Sequence, residues 1–213
     1  MTGVTSTELP LVAIYADESC LGNGREGDNP GGAAGVIEYM NAATDRLTRW
    51  DYWISEPSTT NNRMALRSAI EAFRVIGRKG GIFRVLFTSD SQYLVKGMTE
   101  WVYGWAARGW TRKVGPIENL SLWQDLVDAA TPHRTQWQWV RGHAGHPQNE
   151  YANDLAVAAA KEQTSSDGAR TSEFDAWLEA QRAKKRVKVD PASFPLGQPF
   201  VAARPLPRTT SRA

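Results

Sequence analysis

The stretch LVAIYADES, residues 11–19, constrains the fold more than any other. It is an unbroken apolar run that ends in acids and a glycine turn, the pattern of a strand buried on both faces. A sheet built on such a strand needs a layer packed against each side. The rest of the chain supplies those layers. GGAAGVIEYM (31–40) and LTRWDYWISE (47–56) read as two more strands joined by NAATD, which with the first make an antiparallel meander. NNRMALRSAIEAFRVIGRKG sets Leu66, Ala69, Ile70, Phe73 and Ile76 at helical spacing and stops at glycine. IFRVLFTSD (82–90) is a strand entered after a helix, and so parallel to the first. SQYLVKGMTEWVYGWAARGW reads as helix with glycine interruptions, ENLSLWQDLVDAAT as helix, TQWQWVRG as an alternating strand and NEYANDLAVAAAKEQ as a closing helix. The predicted class is α/β. A five-stranded mixed sheet, three antiparallel strands and then parallel ones, is flanked by helices.

The core domain is read as residues 11–163, after an N-terminal arm of residues 1–10. TSSDGARTS (164–172) has linker composition, and EFDAWLEAQRAKKRVKV makes a short amphipathic helix with a basic end. Five prolines in the last 24 residues make residues 164–213 a basic, Pro-rich and largely disordered tail in this reading. No apolar run approaches the roughly 18–20 residues that span a bilayer. The N-terminus lacks a secretory pattern, and the single cysteine, Cys20, fits a reducing compartment. The expectation is a cytoplasmic protein. A net charge of +2 is too small to argue nucleic-acid binding by itself. Six of the nine tryptophans fall between 101 and 139, which reads either as core or as a groove for bases and sugars.

Three acids stand where elements end: Asp17 after the first strand, Asp90 after the fourth, and Asp154 early in the last helix. Sites in open α/β sheets form at the carboxyl ends of strands. Any one of these acids alone is better explained as a solvated strand end or a helix N-terminal charge.

Their setting carries more. YADESCLGN, TTNNRM, SDSQYLVKGMTEWVYGWAARGW and WVRGHAGHPQNEYANDLA occur in that order. Together they resemble the successive signatures of type I ribonuclease H, over residues 11 to about 160. The resemblance implies an RNase H fold, a divalent-metal site holding two Mg²⁺ (or Mn²⁺) with substrate bound, and hydrolysis of the RNA strand of RNA–DNA hybrids. The chemistry is consistent with such acids. Phosphodiester hydrolysis must activate water and stabilise a leaving oxygen, which two ions roughly 3.5–4 Å apart can do together. Mg²⁺ takes hard oxygen ligands of the kind Asp and Glu supply. By the resemblance, Asp17, Asp90 and Asp154 match three of the family's four carboxylates, and His143 matches a proton shuttle that helps product leave. Asn61, Asn62 and Gln92 match minor-groove contacts, and Asn23 and Thr60 a pocket for a DNA-strand phosphate. Trp105 matches the DNA-strand groove. Arg108, with Arg112 and Lys113, remains of a thinned basic protrusion. The implied partner is an RNA–DNA hybrid bound by a monomer. With the protrusion thinned, weaker and more salt-sensitive binding is expected unless the tail compensates through Arg182, Lys184, Lys185, Arg186 and Lys188, which read equally well as a solvated helix end.

The pattern breaks once. Members of the family carry Glu where this chain has Ala65, and Glu18 stands beside Asp17 where the family usually has Gly. Strand alternation turns Glu18 away from Asp17, while the ending of the strand there counts in its favour as a metal ligand. The longer following loop adds Glu26 and Asp28 as further acids. Three outcomes stay open: Glu18 substitutes for the missing acid, the site works without a fourth acid, or the protein is a module that grips hybrid or double-stranded RNA without cutting. The three Asp and His143 favour the enzyme, because a pure binder has little use for them.

Overall fold

A computed structural model describes residues 8–22, 29–41, 43–142, 144–186 and 189–209. Strands β1 (Leu11–Cys20), β2 (Gly31–Asn41) and β3 (Arg46–Glu56) form the antiparallel meander, and β4 (Arg84–Ser89) and β5 (Arg134–Trp139) add to it in parallel. A sixth strand, β6 (Arg170–Thr171), pairs with β3, so the order is β5-β4-β1-β2-β3-β6. The sheet therefore has six strands rather than five, the extra one being a two-residue addition from beyond the expected domain boundary.

Alternation along β1 assigns its two faces. Val12, Ile14 and Ala16 pack into a core with α1 (Asn61–Gly77), α4 (Leu120–Ala130) and the tryptophan-rich segment between them. That segment is α2 (Gln92–Lys96), a π-helical stretch Gly97–Trp101, and α3 (Val102–Ala106). Ala13 and Tyr15 face the other way, toward a core built with Tyr151, Phe174, Leu178 and Phe194. Helix α5 (Pro147–Glu162) covers β1, β2 and β3 on that second face, and α6 (Phe174–Ala183) covers more of it. Helix α5 lies directly on β2 backbone at Gly32, where a Cβ would stand 2.1 Å from Ala156 O. Only glycine admits that approach.

The C-terminal segment is not the loose tail of the sequence reading. Phe174, Leu178 and Phe194 are buried, and Arg49 ties α6 to the sheet by bonding Glu38 (2.7 Å) and Asp175 (2.9 Å) under the Phe174 ring. The chain then crosses to the open edge of β5. There Val201 N donates to Gln136 Oε1 at 2.9 Å and Ala203 N to Thr135 O at 2.8 Å. Tyr103 anchors it further along, its hydroxyl donating to Arg204 O at 2.7 Å. Proline-rich composition fits an extended strap as well as a disordered tail, because an extended segment needs no internal hydrogen bonds. Its apolar residues decide for the strap. No helix among the described residues is long and apolar enough to cross a membrane.

Candidate active site

The acids meet where β1 and β4 stop pairing. The last β1–β4 pair is Ala16 with Ser89, so Asp90 and Ser91 turn past the end of that ladder, beside Asp17 and Glu18. Carboxylate oxygens of Asp17, Glu18 and Asp90 all lie within 4.8 Å of one another. Asp17 is buried, accepting from its neighbour Glu18 N at 2.7 Å and from Asn149 Nδ2 at 3.1 Å. Glu18 points to the α1 side of β1 by alternation, the same side as buried Ala65. The alternation that counted against Glu18 thus puts its carboxylate on the face from which a Glu at position 65 would project. β1 stays paired with β2 as far as Cys20, so the alternation holds, and Asp17 and Glu18 approach Asp90 from opposite faces at the edge where β4 has ended.

Burial, and then the charge of Asp90, push Asp17 up to about 8. Glu18 is raised well above the usual carboxylate range by burial and by the Asp17 and Asp90 charges, against a hydrogen bond from Ser91 that lowers it. Three hard oxygen donors that resist ionising together fit a divalent cation, which would relieve both the repulsion and the desolvation. Asn61 Oδ1, at the start of α1, is a buried acceptor with no partner among the described protein atoms.

Two further groups hold Asp90. Trp139, the last residue of β5, donates its indole N–H to Asp90 O at 2.9 Å. Gly142, three residues past Trp139 in the next loop, lies so close that a Cβ there would stand 2.2 Å from Asp90 Oδ2. Sequence reasoning missed both; the pairing of Trp139 with Ser89 is a register fact that no local pattern announces.

Asp154 is not among the carboxylates that converge. It is exposed, and its Oδ2 accepts the indole N–H of Trp177 from α6 at 2.8 Å. Helix phase is the reason. Asn149 faces Asp17, so the next residue on that face is Asn153, one turn later, and Asp154 is rotated about 100° past it. The i, i+4 spacing of Asn149 and Asn153 carries that signal in the sequence. His146, by contrast, caps α5, its Nδ1 accepting from Asn149 N at 3.4 Å.

The remaining expected contacts lie around the same end of the sheet or on the helices beside it. Thr60 caps α1, accepting from Arg63 N at 3.3 Å, and Asn61 and Asn62 form the first turn it caps. Gln92 is exposed at the start of α2, two residues after Asp90. Trp105 packs against Trp101 and Trp123 and shares with Tyr93, Trp101 and Arg112 a cleft of about 370 Å³. Arg108 is exposed just beyond α3. Asn23, Glu26, Asp28, His143 and Lys188 lie outside the described residues.

A family model for RNase H matches residues 10–161. The chain belongs to the ribonuclease H family. It is 42% identical over 162 residues to a ribonuclease H of Pelobacter propionicus, covering 76% of this chain and 91% of that protein. A ribonuclease H of a Shewanella species is 41% identical over 156 residues, covering 73% of this chain and 90% of the relative. Among solved structures, LC9-RNase H1, described as a type 1 RNase H with the type 2 active-site motif, is 56% identical with a TM-score of 0.88. That similarity covers 96% of this chain and 97% of the other, so unlike the family model it takes in the strap. Membership makes this ribonuclease H an enzyme, and the RNase H fold expected from the sequence is the fold observed.

Proposed function

We propose that this ribonuclease H hydrolyses the RNA strand of RNA–DNA hybrids at the Asp17–Glu18–Asp90 cluster, with Glu18 doing the work of the acid missing at position 65. One observation carries the reading: the Glu18 carboxylate lies within 4.8 Å of those of Asp17 and Asp90. Asp17, Glu18 and Asp90 would hold divalent cations, and Asn153 would complete the set from α5 with a neutral oxygen. Bound there, two ions would polarise the scissile phosphate and lower the pKa of an attacking water.

The chain's own residues do the rest. Asn149 and the Glu18 amide orient the two oxygens of Asp17. Trp139 and Gly142 fix Asp90 from its backbone and its carboxylate sides. Thr60, Asn61, Asn62 and Gln92 present hydroxyl and amide groups suited to phosphate and to the 2′-hydroxyls that distinguish RNA. Trp105 offers an indole edge for the DNA strand, with Asn23 and Arg108 as further backbone contacts. His143 serves product departure. The 56% identical structure, described as a type 1 RNase H with the type 2 active-site motif, supports reading the departure at Glu18 and Ala65 as a natural arrangement of the site.

Cleavage of labelled hybrid, double-stranded RNA and single-stranded RNA with Mg²⁺ or Mn²⁺ tests the reading. Glu18→Gly should lose at least about 10²-fold in rate, the scale of a removed electrostatic group. Adding Ala65→Glu to Glu18→Gly should return part of it. A Glu18→Gly variant that cuts as fast as the parent would remove Glu18 from the mechanism, and a parent that binds hybrid without cutting would make the protein a binding module.

A further inference from the structure

The turn that ends α6 is the most basic stretch of the described chain. Arg182, Lys184, Lys185 and Arg186 are all exposed there. Arg182 pairs with Asp190 at 2.5 Å, whereas no salt bridge to Lys184, Lys185 or Arg186 occurs among the described residues. The turn is a shaped helix ending. Arg186 N donates to Gln181 O at 3.0 Å and Lys185 N to Arg182 O at 2.9 Å, the paired bonds of a Schellman cap. Such a cap puts its C′ residue in the left-handed region, where Gly is free of strain. Here Lys185 occupies it at φ 55°, at a cost on the order of 1 kcal/mol.

The chain that follows this turn is pinned to the loop and the helix start beside the active site. Gln148, fully buried in the first turn of α5, donates to Ala192 O at 2.8 Å and accepts from Ala192 N at 3.1 Å. A Cβ on Gly145 would touch Val189 Cγ2 at 3.6 Å. Gly145 belongs to the same loop as Gly142, which abuts the Asp90 carboxylate. One short loop therefore meets the Asp90 carboxylate at Gly142 and, at Gly145, the chain that follows the basic turn. From Lys185 to Val189 is four residues, at most about 14 Å of chain, which corresponds to about four phosphates along one strand of a duplex.

We propose that Lys184, Lys185 and Arg186 form a second phosphate-binding element for the hybrid, gripping its backbone beyond the loop Gly142–Gly145 and outside the part of the chain that the family model covers. The inference rests on the reading that the protein binds RNA–DNA hybrids. The ligand is the polyanionic backbone, read by charge and not by sequence. It explains how a chain with a thinned protrusion around Arg108 keeps its grip: the positive charge has moved to the other side of the catalytic loop.

The test uses the full chain carrying Asp90→Asn, so that hybrids are bound without being consumed. Affinity is measured against NaCl concentration for a hybrid of about 8 base pairs, which spans the acid cluster only, and for one of about 24. Each phosphate contact contributes about 0.9 to the slope of log K against log salt. Changing Lys184, Lys185 and Arg186 together to Gln should flatten that slope by about 2.7 on the long hybrid and leave the short one unchanged. Equal slopes for parent and variant on the long hybrid would overturn the proposal, as would an equal loss on both lengths, which would place the turn inside the core footprint. If the Asp90→Asn parent binds neither hybrid, the functional reading itself fails and this inference goes with it.

Discussion

Glu18 and Gly142 show how much of the site depends on single side chains. Moving the acid from helix to strand keeps it on the α1 side of β1 while leaving Ala65 fully packed. Gly142 is required because the Asp90 carboxylate occupies the space a Cβ would take. Gly142→Ala should therefore displace Asp90 and cut the hydrolysis rate by about 10²-fold, the penalty of an ångström-scale misplacement, with little change in melting temperature. Asp17 makes a pH prediction. Without metal, the folded protein keeps the Asp17 proton up to about pH 8, whereas an unfolded chain releases it near the ordinary 3.8. The folded state thus binds more protons between those values, and Asp17 erodes stability as pH rises through that window. In EDTA, Asp17→Asn should melt above the parent by a margin that widens from pH 5 to pH 8 and then levels off. A margin independent of pH would show that the carboxyl ionises normally.

At the scale of elements, α6 is the piece whose role the chain conceals. It docks through a buried polar group: Glu38 is inaccessible, and Arg49 is its ion-pair partner and also meets Asp175 and Phe174. Removing one member of a buried pair leaves the other charge stranded. Arg49→Ala should cost about 3 kcal/mol in urea unfolding, while the double change Arg49→Met with Glu38→Leu should recover most of it. Trp177 adds a second tie by donating to Asp154. Trp177→Phe should destabilise by about 1 kcal/mol without altering metal binding, which would separate Asp154 from the cation site by measurement as the geometry does.

Over the whole molecule, the strap makes one folding unit of what composition divides into domain and tail. It covers the second sheet face, closes the β5 edge and ends against α3 and α4, where Thr209 bonds Asp128. Ending the chain at residue 168 would expose the sites of Phe174, Leu178 and Phe194. At about 2 kcal/mol for each buried side chain, that loss is a large part of an ordinary stability of about 5–15 kcal/mol. The truncated protein should unfold at much lower urea concentration than the full chain. Equal midpoints would return the segment to the status of a tail.

Much of this was legible along the chain because the signals are local. The two-sided burial of LVAIYADES, the capped helix after Thr60, and Asp90 just past β4 follow from periodicity and from where elements stop, whereas Asp17, expected at the end of its strand, lies inside β1, which runs on to Cys20. What the sequence by itself determined is the layer order, the strand directions and the end of the sheet where acids collect. The tertiary structure decided the rest, for reasons of phase and distance. Helix α5 could present Asn153 or Asp154 to the cluster, one residue and about 100° apart, and only the docking of Asn149 on Asp17 chose. Whether Glu18 reaches Asp90 depended on β4 ending at Ser89. The proline-rich end became a strap because Phe174, Leu178 and Phe194 met a face that α5 leaves open, a contact between residues more than 100 positions apart in the chain.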